Sequence, residues 1–195
     1  MTDVLVQAEE NQRRAWQIIR DSKVIECWQG IGAEVHLIGS LKMRVLAKHR
    51  DIDFHIYTPK LEIGRSFDAV RKLAENPRIR RVTYQNLLQE EDCCLEWHAW
   101  YEDEERQLWQ IDMMHIAVGS RYDGYFEKQT ERIMALMTPV QRQIILELKF
   151  ATPDNEKIMG IAYYMAVLRD GVRDYVTFEE WLKRNPLPGI VDWMP

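Results

Sequence analysis

The chain is short of cysteine, of long apolar runs and of positive charge, and each shortage closes off a class of protein. Three cysteines in 195 residues, Cys27, Cys93 and Cys94, cannot all pair with one another. Adjacent cysteines on a strand point to opposite faces, so the expectation is reduced thiols in a cytoplasm rather than a disulfide framework. No stretch reaches the roughly 18 apolar residues of a membrane span. The opening MTDVLVQAEENQRRAW has neither the basic start nor the apolar run of a secretory leader. A soluble, cytoplasmic protein without membrane contact is therefore expected. Lys and Arg number 26 against 31 Asp and Glu, a formal net charge of -5. Such a chain has no global pull toward nucleic acid, so nucleic acid is not an expected partner and any phosphate affinity must be local. Internal repeats and low-complexity tracts are also missing.

What is present reads as mixed α and β for two-thirds of the length and as helix thereafter. Hydrophobic residues make up 46% of the chain, enough for one compact domain or a compact core with a helical appendage. The spacing of Val6, Ala8, Ala15, Ile18 and Ile19 predicts a helix from residue 3 to about Trp28, stopped by Gly30 and Gly32. AEVHLIG and DIDFHIYT alternate as strands joined by a basic connector. RSFDAVRKLAEN reads as a helix broken at Asn76-Pro77, and RIRRVTYQNL as an edge strand. CCLEWHAWY and RQLWQIDMMHIAV flank EDEE as the arms of an antiparallel hairpin with a tight acidic turn. Four helices follow: DGYFEKQTERIMALM, PVQRQIILELKFA, PDNEKIMGIAYYMAVLRDG and TFEEWLKRN. Pro139 and Pro153 fit first-turn positions, Gly171 a C-terminal stop, and Thr177 an N-cap with Glu180 three residues on. The third helix, apolar nearly all round, is expected to be the most buried, with Tyr163 and Tyr164 in the core or at its rim. The tail NPLPGIVDWMP should be irregular and docked by Trp193. The expected organisation is a core over residues 1–118 with a helical region, residues 119–195, packed on it.

The segment HLIGSLKMRVLAKHRDIDFHIY, residues 36–57, concentrates basic side chains between a Gly-Ser pair and two aspartates. On a strand, Asp51 and Asp53 project from one face with Cβ atoms roughly 7 Å apart, and His55 follows them. Carboxylates that close repel unless a cation neutralises them. Mg²⁺ prefers oxygen ligands and binds through one or two carboxylates plus substrate phosphates. Taken alone, Asp-x-Asp is more often a solvated strand face beside arginines, and Gly39-Ser40 more often a turn and helix cap. Together they set open N–H groups and a hydroxyl where the next strand's carboxylates can face them, a phosphate cradle beside a metal site.

HLIGS, ten residues and then DIDFHIY resemble the signature of the polymerase-β-like nucleotidyltransferase superfamily. That signature is an apolar strand, Gly-Gly or Gly-Ser, a short helix, and Asp-x-Asp or Asp-x-Glu between apolar residues. The superfamily adds a third carboxylate on a later strand, and LWQIDMMHI supplies Asp112. The resemblance covers residues 30–117 and implies an α+β fold with a small mixed β-sheet, flanking helices and a C-terminal helical layer. It implies a Mg²⁺-dependent nucleotidyltransferase, with Mn²⁺ as a substitute, in which Asp51, Asp53 and Asp112 are the metal-binding and catalytic carboxylates. The donor would be a nucleoside triphosphate, with Gly39 and Ser40 holding its terminal phosphates. Lys42 and Arg44 are assigned to the departing pyrophosphate by proximity, not by the signature. The expected acceptor is a hydroxyl on a small molecule or a protein; oligomeric state stays open. The chain departs from many small members by carrying Lys42, Met43, Arg44 and Arg50 where they have small residues, a glycine and a serine. Two alternatives therefore stand: a catalytically inactive nucleotide- or partner-binding module, or a metal-dependent phosphohydrolase.

Other residues read as structural. A hairpin centred on residues 103–104 would set Glu96 nearly opposite Asp112 as an exposed cross-strand position. His98 and His115 are expected to be structural, with His115 facing away from Asp112. Trp97, Trp100 and Trp109 read as packing, and Lys149 as a solvated helix end.

Overall fold

A computed structural model describes residues 3–187 and 189–195; Pro188, part of the expected irregular tail, lies outside them. Five strands, β1 (Glu34–Ile38), β2 (Asp51–Tyr57), β3 (Ile79–Asn86), β4 (Cys94–Glu102) and β5 (Leu108–Ile116), form one sheet in the order β1-β2-β5-β4-β3. β2 and β5 run parallel and the other neighbours antiparallel. This is the α+β class and small mixed sheet expected.

Alternation along the strands divides the sheet into two unlike faces. Ile52, Phe54 and Ile56 of β2, Ile111 and Met113 of β5, and Leu95, Trp97 and Ala99 of β4 are buried together. Three helices supply the cover: α1 (Val4–Ser22) through Ala15, Ile18 and Ile19, α2 (Val24–Gln29) through Val24 and Trp28, and α4 (Ile63–Ala74) through Ala69, Val70 and Leu73. The opposite face carries the polar residues of the same strands. After β1 comes the short α3 (Gly39–Lys42), and beyond the sheet lie α5 (Tyr125–Leu136), α6 (Pro139–Ala151), α7 (Gly160–Tyr164) and α8 (Tyr175–Arg184). A second apolar cluster joins α6, α7 and α8 to Ala8 of α1 and to Met43, Val45 and Ala47 after α3. The tail packs Trp193 at the edge of that cluster, and its carbonyl accepts from Gln129 Nε2 at 2.6 Å. No helix among the described residues is long and apolar enough to cross a membrane.

Several local expectations are corrected. The first helix ends at Ser22, because Lys23 is left-handed with φ 57°. At about 100° per residue, an unbroken helix would aim Val24 and Trp28 roughly opposite to Ala15, and the break returns both to the core. No helix starts at Pro153: residues 153–157 offer no apolar side chain to bury, and α7 begins at Gly160. Its continuation over Met165–Arg169 widens to i→i+5 hydrogen bonding, closed by Asp170 N on Met165 O at 3.2 Å. Asp174, not Thr177, caps α8, accepting from Thr177 N at 2.9 Å. Cys93 lies ahead of β4 with φ 48°, and all three cysteines are free.

His115 faces the core, fully buried, with Nε2 2.8 Å from Thr58 Oγ1 and its ring edge-on to Trp28. Burial pushes its pKa down to about 4. The folded state therefore refuses a proton that the unfolded chain accepts near pH 6.5. The stability this neutral ring provides is complete above that pH and is lost as pH falls toward 4, by about 3 kcal/mol in all. Urea melts between pH 7 and pH 4 should show this slope in wild type and a shallower one in His115→Gln.

Candidate active site

The polar face of the sheet assembles the acidic residues. β2 and β5 pair in register with Asp53 beside Asp112 and Asp51 beside Gln110, so three carboxylates emerge from adjacent strands on one surface. Asp53 also pairs with Ile38 of β1, which sets Gly39 directly against it. Gly39 has φ +69°, and a Cβ there would stand 2.9 Å from Asp53 Cγ, within the carboxyl. Only glycine admits this approach. Gly39→Ala should lower the urea-unfolding free energy by more than about 1–2 kcal/mol, the left-handed penalty alone. A wild-type midpoint would show that loop and carboxylate yield freely.

The Asp53 carboxyl is pushed well above the usual carboxylate range, first by burial, then by Asp51 and Asp112; Lys149 and His98 oppose the shift. Such a group calls for a cation. Oxygen-only donors suit Mg²⁺ or Mn²⁺ in kind, although among the described residues no three His, Cys, Asp or Glu side chains form a closed metal-ligand set. Asp51 and Asp53 would hold such a cation, and Asp112 is oriented by its neighbours. Its Oδ1 accepts from Gln110 Nε2 at 2.8 Å and from His98 Nδ1, while His98 Nε2 lies 2.7 Å from Glu96 Oε1. An imidazole between two carboxylates donates at both nitrogens only when protonated. The bond to Asp112, against the opposing effect of burial and with further help from Glu96, raises the ring to about 9.

The hairpin register decides this, and it corrects the expectation. Asp103 Oδ1 accepts from the backbone N–H groups of Glu105 and Gln107, and Arg106 turns left-handed, so the turn spans 103–107 rather than EDEE. His98 then stands opposite Asp112, and Glu96 opposite Met114. Glu96 shares the face as anticipated, one pair further along, while His98 is part of the acidic group rather than purely structural.

Lys149 is a second correction. It is 7% exposed, and its Nζ donates to Ser40 Oγ at 2.8 Å, to Val45 O at 3.2 Å and to Tyr164 OH at 3.4 Å. The sequence did contain a signal: Lys149 lies one helical turn from Ile145 and Leu146 and three residues before Thr152, on the apolar stripe of α6. Lys149, Ser40, Asp51, Ala47, Gly160 and Tyr163 enclose a cavity of about 50 Å³. Asp51 also lines a wider one of about 300 Å³ with Asp112, Gln110, Arg50, His49 and Lys157. Beyond it, Arg50, Lys48, Gln110 and Trp100 line a trough of about 510 Å³. Lys42 and Arg44 are exposed and line none of the three, and the Arg44 carbonyl accepts from Arg142 Nε at 2.8 Å. Trp97 and Trp109 are buried as expected, whereas Trp100 is half-buried with the Arg81 guanidinium 4.3 Å from its ring centre.

The sheet and its helical cover have the fold of solved nucleotidyltransferases. No protein-family model and no curated protein matches the chain, but solved structures do. A cytoplasmic RNA terminal U-transferase aligns at 11% identity with TM-score 0.51, over 82% of this chain and 51% of that one. The polymerase core of the TRAMP RNA surveillance complex aligns at 13% identity with TM-score 0.54, over 90% and 58%. A poly(U) polymerase solved with MgGTP aligns at 12% identity with TM-score 0.54, over 82% and 55%. The chain thus spans little more than half the length of the structures it matches. The expectation against nucleic acid loses its support, because these neighbours act on RNA and the cations near the carboxylates are not reflected in a net charge.

Proposed function

We propose that this chain transfers a nucleoside monophosphate from a nucleoside triphosphate to an acceptor hydroxyl. The observation that supports this best is the in-register pairing of Asp53 with Asp112, with Asp51 two residues away and Gly39-Ser40 alongside. Lys149 and Ser40, joined by their Nζ–Oγ hydrogen bond, line the small cavity beside Asp51, where they would bind the β- and γ-phosphates. Gly39, lacking a Cβ, lets the backbone lie against the Asp53 carboxyl at that end. Divalent cations at Asp51, Asp53 and Asp112 would supply Lewis-acid charge at the α-phosphate and acidify the acceptor hydroxyl. Asp112, on the side of the wider cavity, would receive the acceptor. The acceptor's oxygen would bond to the α-phosphorus as its proton passes to the Asp112 carboxylate, and the bond from the α-phosphorus to the pyrophosphate oxygen would break.

For the acceptor, the trough supports a single-stranded RNA end in preference to an uncharged small molecule. Arg50 offers charge, while Lys48 is paired with Asp154 Oδ1 at 2.7 Å on the same wall; Trp100 offers a face for a base, and the RNA-directed neighbours share the fold. The test mixes wild type with Mg²⁺, α-labelled nucleoside triphosphates and either a short RNA, a protein mixture or a pool of small hydroxylated metabolites. Label should pass to the RNA and not in Asp53→Asn. Label on a metabolite or protein would move the acceptor; release as free nucleotide would mark a phosphohydrolase. If no product forms and Mg²⁺ with nucleotide leaves the melting temperature unchanged, the enzymatic reading fails.

A further inference from the structure

We propose that His98 and Glu96 form a clamp that fixes the side chain of Asp112, making His98 a positioning residue for the acceptor half of the site. This rests on the proposed role of Asp112. Four side chains alternate onto one patch: Glu96 and His98 from β4, Gln110 and Asp112 from β5. Both ring nitrogens of His98 are spent on carboxylates, Nδ1 on Asp112 and Nε2 on Glu96, while Gln110 adds a bond to the same Oδ1 of Asp112. Each donor is itself anchored. Glu96 holds the far side of the ring, and Gln110 is tied through its backbone N–H to the Arg50 carbonyl at 2.7 Å, the residue before Asp51.

A carboxylate beside Asp53 and Asp51 is driven away from them by like charge. The clamp opposes this by taking up Oδ1 alone, so that Oδ2 keeps one direction. The three side chains are only partly exposed, 24% for Glu96, 22% for His98 and 17% for Asp112, so the bonds are shielded from water without being sealed off. Partners of this kind, one bond removed from a ligand, typically affect activity by about 10- to 100-fold when lost.

The experiment takes His98→Ala, His98→Asn and Glu96→Gln. His98→Ala should lower kcat for transfer by about 10- to 100-fold with the nucleotide KM held within about threefold. His98→Asn, whose amide can still donate to Asp112, should recover part of the rate. Two readouts need no turnover. The His98 ring ¹⁵N resonances of the metal-free protein should move in both Glu96→Gln and Asp112→Asn, and the loss of unfolding midpoint in His98→Ala should disappear when Asp112 is already Asn. An unchanged kcat, or an equal midpoint loss in both backgrounds, overturns the clamp. An inert wild type would instead defeat the proposed function, and the resonance and midpoint measurements would still decide the clamp.

Discussion

Asp53→Asn should abolish nucleotidyl transfer while making the metal-free protein harder to unfold. The loss should be about three orders of magnitude in kcat/KM, the scale of several kcal/mol of transition-state charge stabilisation. The stability gain comes from the same carboxylate. Burial, Asp51 and Asp112 together push its pKa up in the folded state, so folding retains a proton that the unfolded chain releases at its ordinary acidity. Stability therefore declines as pH rises above the usual Asp range, and at neutral pH the wild type carries a penalty from this carboxyl. The asparagine carries none. Urea melts at pH 7 without metal should give a higher midpoint for Asp53→Asn, and the difference should close as pH falls below about 4. Adding Mg²⁺ with nucleotide should reverse the order by stabilising wild type alone. A variant that is less stable at pH 7 would contradict the electrostatics of the site, and a fully active one would remove Asp53 from the chemistry.

The second large effect belongs to Lys149→Met. Its ammonium is buried between Ser40 Oγ, the Val45 carbonyl and Tyr164 OH. Replacing it with a side chain of similar length removes a charged donor from the phosphate end and leaves the second apolar cluster filled. The nucleotide KM should rise about 10- to 100-fold, as loss of a charged hydrogen bond of about 1.5–3 kcal/mol implies. Stability should change by less than about 1.5 kcal/mol, because a buried ion can be replaced by a hydrophobe of like volume at little cost. Steady-state kinetics and a urea melt check both halves. An unchanged KM would place the triphosphate away from Ser40.

Period-two alternation was legible in DIDFHIY and LWQIDMMHI, and it specified which residues share a face on each strand before any pairing was known. It did not specify which residue of one strand meets which of the next. The hairpin shows why: Asp103 holds two backbone N–H groups of its own turn, the centre moves toward Glu105, and His98 replaces Glu96 opposite Asp112. Lys149 was missed for a different reason. A lysine near a helix end is usually solvated, and the burial of this one depends on the Gly39–Lys42 turn, more than a hundred residues earlier, lying against α6. Pro153 gives loop 153–159 the sequence pattern of a helix start, yet the segment supplies Lys157 and Ile158 to the cavity wall.

The amino-acid order by itself determined the strands, the glycine corner and the three aspartates, because these follow from local alternation and from the steric freedom of a residue without Cβ. Tertiary structure alone decided the partners: strand register brought His98 and Asp53 to Asp112, and helix packing brought Lys149 to Ser40. Those encounters join residues far apart in the chain, and their energies arise from burial and charge that exist only once the sheet and helices have closed on one another.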